Sequence, residues 1–317
     1  MPRSTDPSST TDSAPWRDLY PFRSHWLPIG DHRLHYVDEG SGAPVLLVHG
    51  NPTWSFYWRN IMVGLGDRYR MIAVDHLGCG LSDKPQAYDY NLVNHTANLT
   101  RLVDELDLHD ATLVVHDWGG AIGLGTLVER PDRFRRIVVF NTGAFPPPFC
   151  PWRIRVCRWP WIGPWSVRRL NVFARAALTM AVERSDRMTP AVRAGFLAPY
   201  DSFGHRIAIA RFVQDIPLSK RHPTWDVLER LEQRLHDLPR RPVQIIWGMR
   251  DWCFTPQCLE RMCRLFPHAD VVRVEDAGHY VVEDAHERIV PLMARFLEDD
   301  TGQTSHGAAG GERDGIA

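Results

Sequence analysis

The sequence predicts an α/β fold: a mostly parallel sheet with helices on both faces and a helical cap inserted over it. Three observations lead there. Short, continuous apolar runs alternate with segments of helical periodicity, the pattern of parallel strands buried by crossover helices. Most of these runs stop abruptly in a polar turn, several of them glycine-containing. The alternation then fails between about Pro146 and about Trp225 and resumes afterwards, as it does when one sheet is interrupted by an insertion.

Taken in order, Trp26 to Ile29 and Leu34 to Val37 read as two strands joined by a Gly30-Asp31 turn. Val45 to Val48 is a third, ending in His49-Gly50-Asn51-Pro52. Met71 to Val74 is the fourth, ending in a turn rich in glycine. Leu92 to Leu106 has helical spacing and leads to the apolar run Thr112 to Val115. Arg136 to Phe140, Val243 to Trp247 and Val271 to Val274 complete the set, and a last helix is expected from about His286 to Leu297. The predicted division is a tail over residues 1–19, core over 20–145, cap over 146–225, core over 226–299 and a second tail over 300–317. Both tails are expected to be disordered, being rich in Ser, Thr, Pro or Gly and poor in apolar residues.

Composition narrows the function classes. At 317 residues with 44% apolar and 24% charged residues, the chain reads as an ordinary globular protein, and a net charge of −1 gives no reason to expect nucleic acid. The six cysteines have no zinc-like paired spacing and are expected to be reduced, which fits a cytoplasmic setting. The first fifteen residues lack the apolar core of a secretory signal, and no apolar run reaches membrane-spanning length. No motif requires a metal, nucleotide or flavin.

The stretch Val114-Val115-His116-Asp117-Trp118-Gly119-Gly120 carries the chemistry. It reads as strand, tight turn and helix, the setting of a nucleophile elbow, with Asp117 where the usual G-x-S-x-G motif has serine and Val115 in place of its first glycine. A carboxylate there attacks carbon and forms an enzyme ester; the bland alternative is an aspartate that caps the helix. Asp251, in Gly248-Met249-Arg250-Asp251, and His279, in Gly278-His279, follow two later strands. The order nucleophile, acid, base is that of the α/β-hydrolases. In this reading His279 is the proton acceptor, and Asp251 fixes its tautomer. Backbone N–H groups after Asp117 and in the His49–Pro52 turn are expected to form an oxyanion hole.

These motifs resemble the haloalkane dehalogenases of the α/β-hydrolase superfamily. One branch of that group carries its acid after the strand that ends here at Phe140; that place is Asn141 in this chain, so the acid falls to Asp251. Asn51 and Trp118 match the pair of donors that hold the leaving halide, a combination similar to the third dehalogenase subfamily. The cap motifs Ala198-Pro199-Tyr200-Asp201-Ser202-Phe203 and Arg211-Phe212-Val213-Gln214-Asp215-Ile216-Pro217-Leu218 are similar to those of the β-lactone decarboxylases of long-chain olefin biosynthesis. So is the run Asn51 to Asn60. This resemblance implies conversion of cis-3-alkyl-4-alkyloxetan-2-ones to cis-alkenes and carbon dioxide, with haloalkane hydrolysis as the alternative. It also implies an apolar small-molecule substrate and a place in an assembly with other olefin-forming enzymes.

Other members of the superfamily fit less well. Epoxide hydrolases use two cap tyrosines, and this cap has only Tyr200. Fluoroacetate dehalogenases place an arginine where Trp118 stands. A serine esterase needs a serine at the elbow, and a non-catalytic binding module would not need the triad. Phe145, Trp152, Phe203 and Phe212 are candidates to line an apolar channel, with core packing as the alternative for each. From Pro146 to Arg221 there are thirteen Arg and Lys against four Asp and Glu, interleaved with Trp152, Trp159, Trp161 and Trp165. That face suits an acidic partner or an anionic membrane surface, the alternative being a solvated charged face.

Overall fold

In the computed structural model, which describes residues 14–299, eight strands form one sheet. They are β1 (Ser24–Ile29), β2 (His32–Glu39), β3 (Pro44–Val48), β4 (Arg70–Val74), β5 (Ala111–Asp117), β6 (Phe134–Thr142), β7 (Val243–Gly248) and β8 (Asp270–Val274). Their spatial order is β1-β2-β4-β3-β5-β6-β7-β8. Pairings β1/β2 and β2/β4 are antiparallel and the rest parallel. Every residue of β5 is buried, which is why this central strand reads as an unbroken apolar run rather than an alternating one. Val114 joins the apolar cluster on one face and Val115 the cluster on the other, the strand alternation at work.

Helices cover both faces: α1 (Arg59–Leu65), α2 (Leu92–Glu105) and α3 (Trp118–Glu129) precede the insertion. Between β6 and β7 come α4 (Trp152–Val156), α5 (Ile162–Leu170), α6 (Val172–Met180), α7 (Pro190–Leu197), α8 (Ile207–Asp215) and α9 (Pro223–His236); α10 (Pro256–Leu265) and α11 (Val281–Glu298) follow. Helix α5 packs on both α6 and α8 in the cap, whereas α9 lies on α2 and α3. A boundary at 225/226 therefore falls inside the first turn of α9, a helix of the sheet layer that starts at Pro223. Helix α11 begins earlier than expected, at Val281, with a kink at Ala285.

The expected tail over 1–19 is too long. Trp16 is buried edge-on against Trp54 and Phe56, at 5.7 and 6.2 Å between centroids, so the fold starts before Tyr20. A Ser/Thr-rich flank hides this anchor in the sequence. Residues 1–13 and 300–317, assigned to the tails, lie outside the described residues.

Candidate active site

Asp117 ends β5 with φ 51° and ψ −130°, a conformation that side chains other than glycine's seldom adopt. The strain is held by close packing. A Cβ at Gly119 would meet the Val48 carbonyl oxygen at 2.1 Å, and one at Gly50 would meet Asp117 Oδ1 at 2.0 Å. Thr142 donates a hydrogen bond to the Asp117 carbonyl. The Asp117 side chain makes no N-cap hydrogen bond beyond the Trp118 N–H that opens α3, so the carboxylate is not spent on capping and stays aimed above the sheet.

The structure brings the three sequence-predicted groups together. His279 Nε2 lies 3.6 Å from Asp117 Oδ2, and His279 Nδ1 lies 2.8 Å from Asp251 Oδ2. The Cys253 N–H donates to Asp251 Oδ1 at 2.6 Å, so both acid oxygens are held. Phe254 stacks on the imidazole at 5.7 Å. Asn51 N–H donates to Asp117 Oδ1 at 2.7 Å, joined by the Trp118 N–H. These are the two backbone donors expected of the His49–Pro52 turn and the elbow. The Asn51 Nδ2 group reaches only the Ile209 carbonyl, at 3.4 Å, which leaves most of its donor capacity unspent.

Electrostatics follow from burial. Burial raises the Asp117 carboxyl above its ordinary 3.8, opposed by His279 and by the two N–H donors. Burial would lower the His279 imidazole, but the charge and hydrogen bond of Asp251, helped by Asp117, outweigh it and hold the group above 6.5. The neighbouring histidines behave oppositely. His49, His76 and His116 are lowered mainly by burial, so they remain neutral spacers: His116 holds the His279 carbonyl at 2.8 Å, and His76 Nε2 the His49 carbonyl at 2.8 Å.

Two apolar cavities meet at Asp117 and Asn51. One, of about 110 Å³, runs past Trp118, Phe145, Pro148, Val213 and Leu228. The other, of about 320 Å³, runs past His279, Ala177, Met180, Val156 and Trp152. Of the four aromatic residues proposed to line a channel, Phe145 and Trp152 do so. Phe203 is exposed beneath Arg168, and Phe212 packs against Trp118 and His95. A larger groove of about 600 Å³ between α2, α3 and α9 has no nucleophile beside a base; its Asp104–Arg130 and Glu129–Arg234 ion pairs serve helix packing.

A sequence profile of the α/β-hydrolase fold matches residues 43–285. The chain belongs to the α/β-hydrolase family. Within that family it is 44% identical over 278 residues to a cis-3-alkyl-4-alkyloxetan-2-one decarboxylase of Xanthomonas campestris pv. campestris, covering 84% of this chain and 92% of that one. A second decarboxylase of the same name, from Shewanella oneidensis, is 40% identical over 290 residues, covering 89% and 90%. Haloalkane dehalogenase 2 of Mycobacterium tuberculosis is 36% identical over 290 residues, covering 90% and 99%. Among solved structures, the haloalkane dehalogenase DatA from Agrobacterium tumefaciens superposes with a TM-score of 0.78 at 26% identity, over 87% of this chain and 96% of that one. This α/β-hydrolase is thus an enzyme of the branch that holds decarboxylases and dehalogenases.

Sequence reasoning missed the groups that position the site. Asp284 is fully buried and accepts from Gly278 N–H at 2.8 Å and Arg184 N–H at 2.9 Å, tying the cap to the loop that carries His279. Arg59 forms a buried bidentate pair with Glu283 at 2.7 and 2.9 Å. A short distance of Glu283 and Asp284 from His279 in the sequence was the available signal.

Proposed function

We propose that this enzyme is a β-lactone decarboxylase that converts cis-3-alkyl-4-alkyloxetan-2-ones to cis-alkenes and carbon dioxide, in the cytoplasm, as a step of long-chain olefin formation. The observation that carries this reading is the pair of apolar arms meeting at one carboxylate. A four-membered ring with two alkyl substituents needs a place for each chain, whereas a small haloalkane needs one. Similarity to two decarboxylases over most of the chain supports the same reading.

In the proposed mechanism Asp117 Oδ2 attacks C4, the ring carbon bearing oxygen. The C4–O bond breaks with inversion, and the departing carboxylate takes hydrogen bonds from Asn51 Nδ2 and the Trp118 indole N–H. The alkyl ester then fragments. The bond from C3 to the carboxylate carbon breaks and releases carbon dioxide, its electrons form the C3–C4 double bond, and the C4–O bond to Asp117 breaks to restore the carboxylate. Inversion followed by anti loss returns the cis geometry. Attack at the lactone carbonyl would instead give an anhydride and, after hydrolysis, a β-hydroxy acid.

The second reading, haloalkane hydrolysis, is favoured by His279 standing 3.6 Å from Asp117 Oδ2, where it can activate water against an alkyl ester. Product analysis separates the two. A synthetic cis-3,4-dialkyloxetan-2-one should give cis-alkene faster than 1-bromobutane or 1,2-dibromoethane gives alcohol, and Asp117→Ala should lose roughly 10⁴-fold or more on every substrate. Rapid halide release with no alkene from the lactone overturns the decarboxylase reading.

A further inference from the structure

Eight of the thirteen exposed large apolar side chains among the described residues lie between Phe149 and Leu170. They include four tryptophans, with Trp152 70% and Trp161 89% exposed. Exposed indoles in such density are unfavourable in water and mark a surface that another phase or molecule covers. The charge around them has one sign. From Pro146 to Val182 the chain has six arginines and neither Asp nor Glu. Arg155, Arg169 and Arg175 are exposed, and Arg153 lies against the rings of Trp152 and Trp252.

We infer that the α4–α5 segment is a membrane-docking surface that seats this enzyme on an anionic bilayer. Indoles settle at the level of the lipid headgroups with their N–H groups wet, and arginines reach past them to lipid phosphates. No helix of the described residues is long and apolar enough to cross a membrane, so the contact is peripheral. A bilayer suits this face better than a protein partner because of where the larger cavity opens. Trp152, Arg153 and Val156 line it and are themselves exposed, so its mouth lies within the patch. A substrate with two alkyl chains dissolves in lipid rather than water and would enter from there; the choice of a bilayer over a protein partner rests to that extent on the proposed function.

The test needs no turnover. The full chain is sedimented with vesicles of phosphatidylcholine and with vesicles of phosphatidylcholine plus phosphatidylglycerol. Binding is expected only to the anionic vesicles and is expected to weaken as salt is raised. Arg155→Ala and Arg169→Ala should each reduce partitioning about fivefold. The combined Trp159→Ala, Trp161→Ala, Trp165→Ala variant should stay in the supernatant, while its turnover of a short-chain, water-soluble lactone matches wild type, since none of the three lines either of the two cavities that meet at Asp117. The proposal fails if wild type ignores both vesicles or if the triple variant pellets like wild type. It fails equally if salt-sensitive binding is found to poly-glutamate and not to vesicles, which would make the surface a site for an acidic protein.

Discussion

Asn141 and Gly248 clasp each other across the ends of β6 and β7: the Asn141 amide donates to the Gly248 carbonyl at 2.9 Å and accepts from the Gly248 N–H at 2.8 Å. Asn141, at the place where the resemblance puts the acid of one dehalogenase branch, is here a structural latch that aligns the strand preceding Asp251. Asn141→Asp should therefore cost about 1–3 kcal/mol of stability, through the lost donor and a carboxylate set against a carbonyl, with little loss of rate. Asp251→Asn should do the reverse, leaving thermal unfolding near wild type while slowing bromoalkane hydrolysis by roughly 10⁴-fold through the wrong His279 tautomer. Equal rate losses in both variants would move the acid to position 141.

The strands and the elbow were legible because their signals are local. An apolar run that stops at Asp117, Asp251 or His279 announces a strand end, and in a parallel sheet all such ends share one edge. Long-range pairings carry no such signature. Nothing in the sequence joins Arg59 to Glu283, 224 residues apart, or His116 to the His279 carbonyl, 163 apart. Trp16 was lost for a related reason: one anchor in a polar flank looks like noise until Trp54 and Phe56 are in place around it. The two arms were also hidden, since a Phe or Trp that lines a cavity and one that packs in a core look alike in a sequence.

The Arg59–Glu283 pair gives a stability prediction. Both side chains are buried, and Arg59 also lies 4.3 Å from the Phe56 ring centroid. Glu283→Ala strands a guanidinium away from water and should cost about 3–5 kcal/mol. Asp38→Ala, which breaks the more exposed pair with Arg70, should cost about 1 kcal/mol or less. Urea unfolding of the two variants checks the contrast, and similar midpoints would contradict it.

The arms predict chain preference by ring position. If the leaving carboxylate moves toward Asn51 and Trp118, the chain on C3 is drawn into the arm of about 110 Å³ and the chain on C4 into that of about 320 Å³. Lengthening the C4 chain should be tolerated further than lengthening the C3 chain. Ala177→Phe, which narrows only the larger arm, should lower kcat/KM for long C4 chains by about tenfold for every two methylenes excluded, leaving C3 variants nearly unchanged. A loss that follows the C3 chain instead would reverse the orientation.

The last prediction concerns water. Hydrolysis of an alkyl ester on Asp117 needs His279 as a base, and therefore neutral. Because Asp251 holds the imidazole above 6.5, bromoalkane hydrolysis should fall as pH is lowered through that raised value. Lactone fragmentation asks only that Asp117 be ionised. Its rate should persist to lower pH and fall as pH drops through the Asp117 value, which burial places above 3.8. Between the two limbs alkene should still form while bromoalkane turnover has largely stopped. The same logic applies to His279→Ala: roughly 10²–10⁴-fold loss on 1-bromobutane with the alkyl-enzyme accumulating, against about tenfold or less on the lactone. In ¹⁸O-water, the Asp117 peptide should gain label during bromoalkane turnover and none during alkene formation, since fragmentation returns the original carboxylate oxygens. Label in Asp117 during alkene formation, or coincident acid limbs for the two substrates, would replace the fragmentation with a hydrolytic cycle.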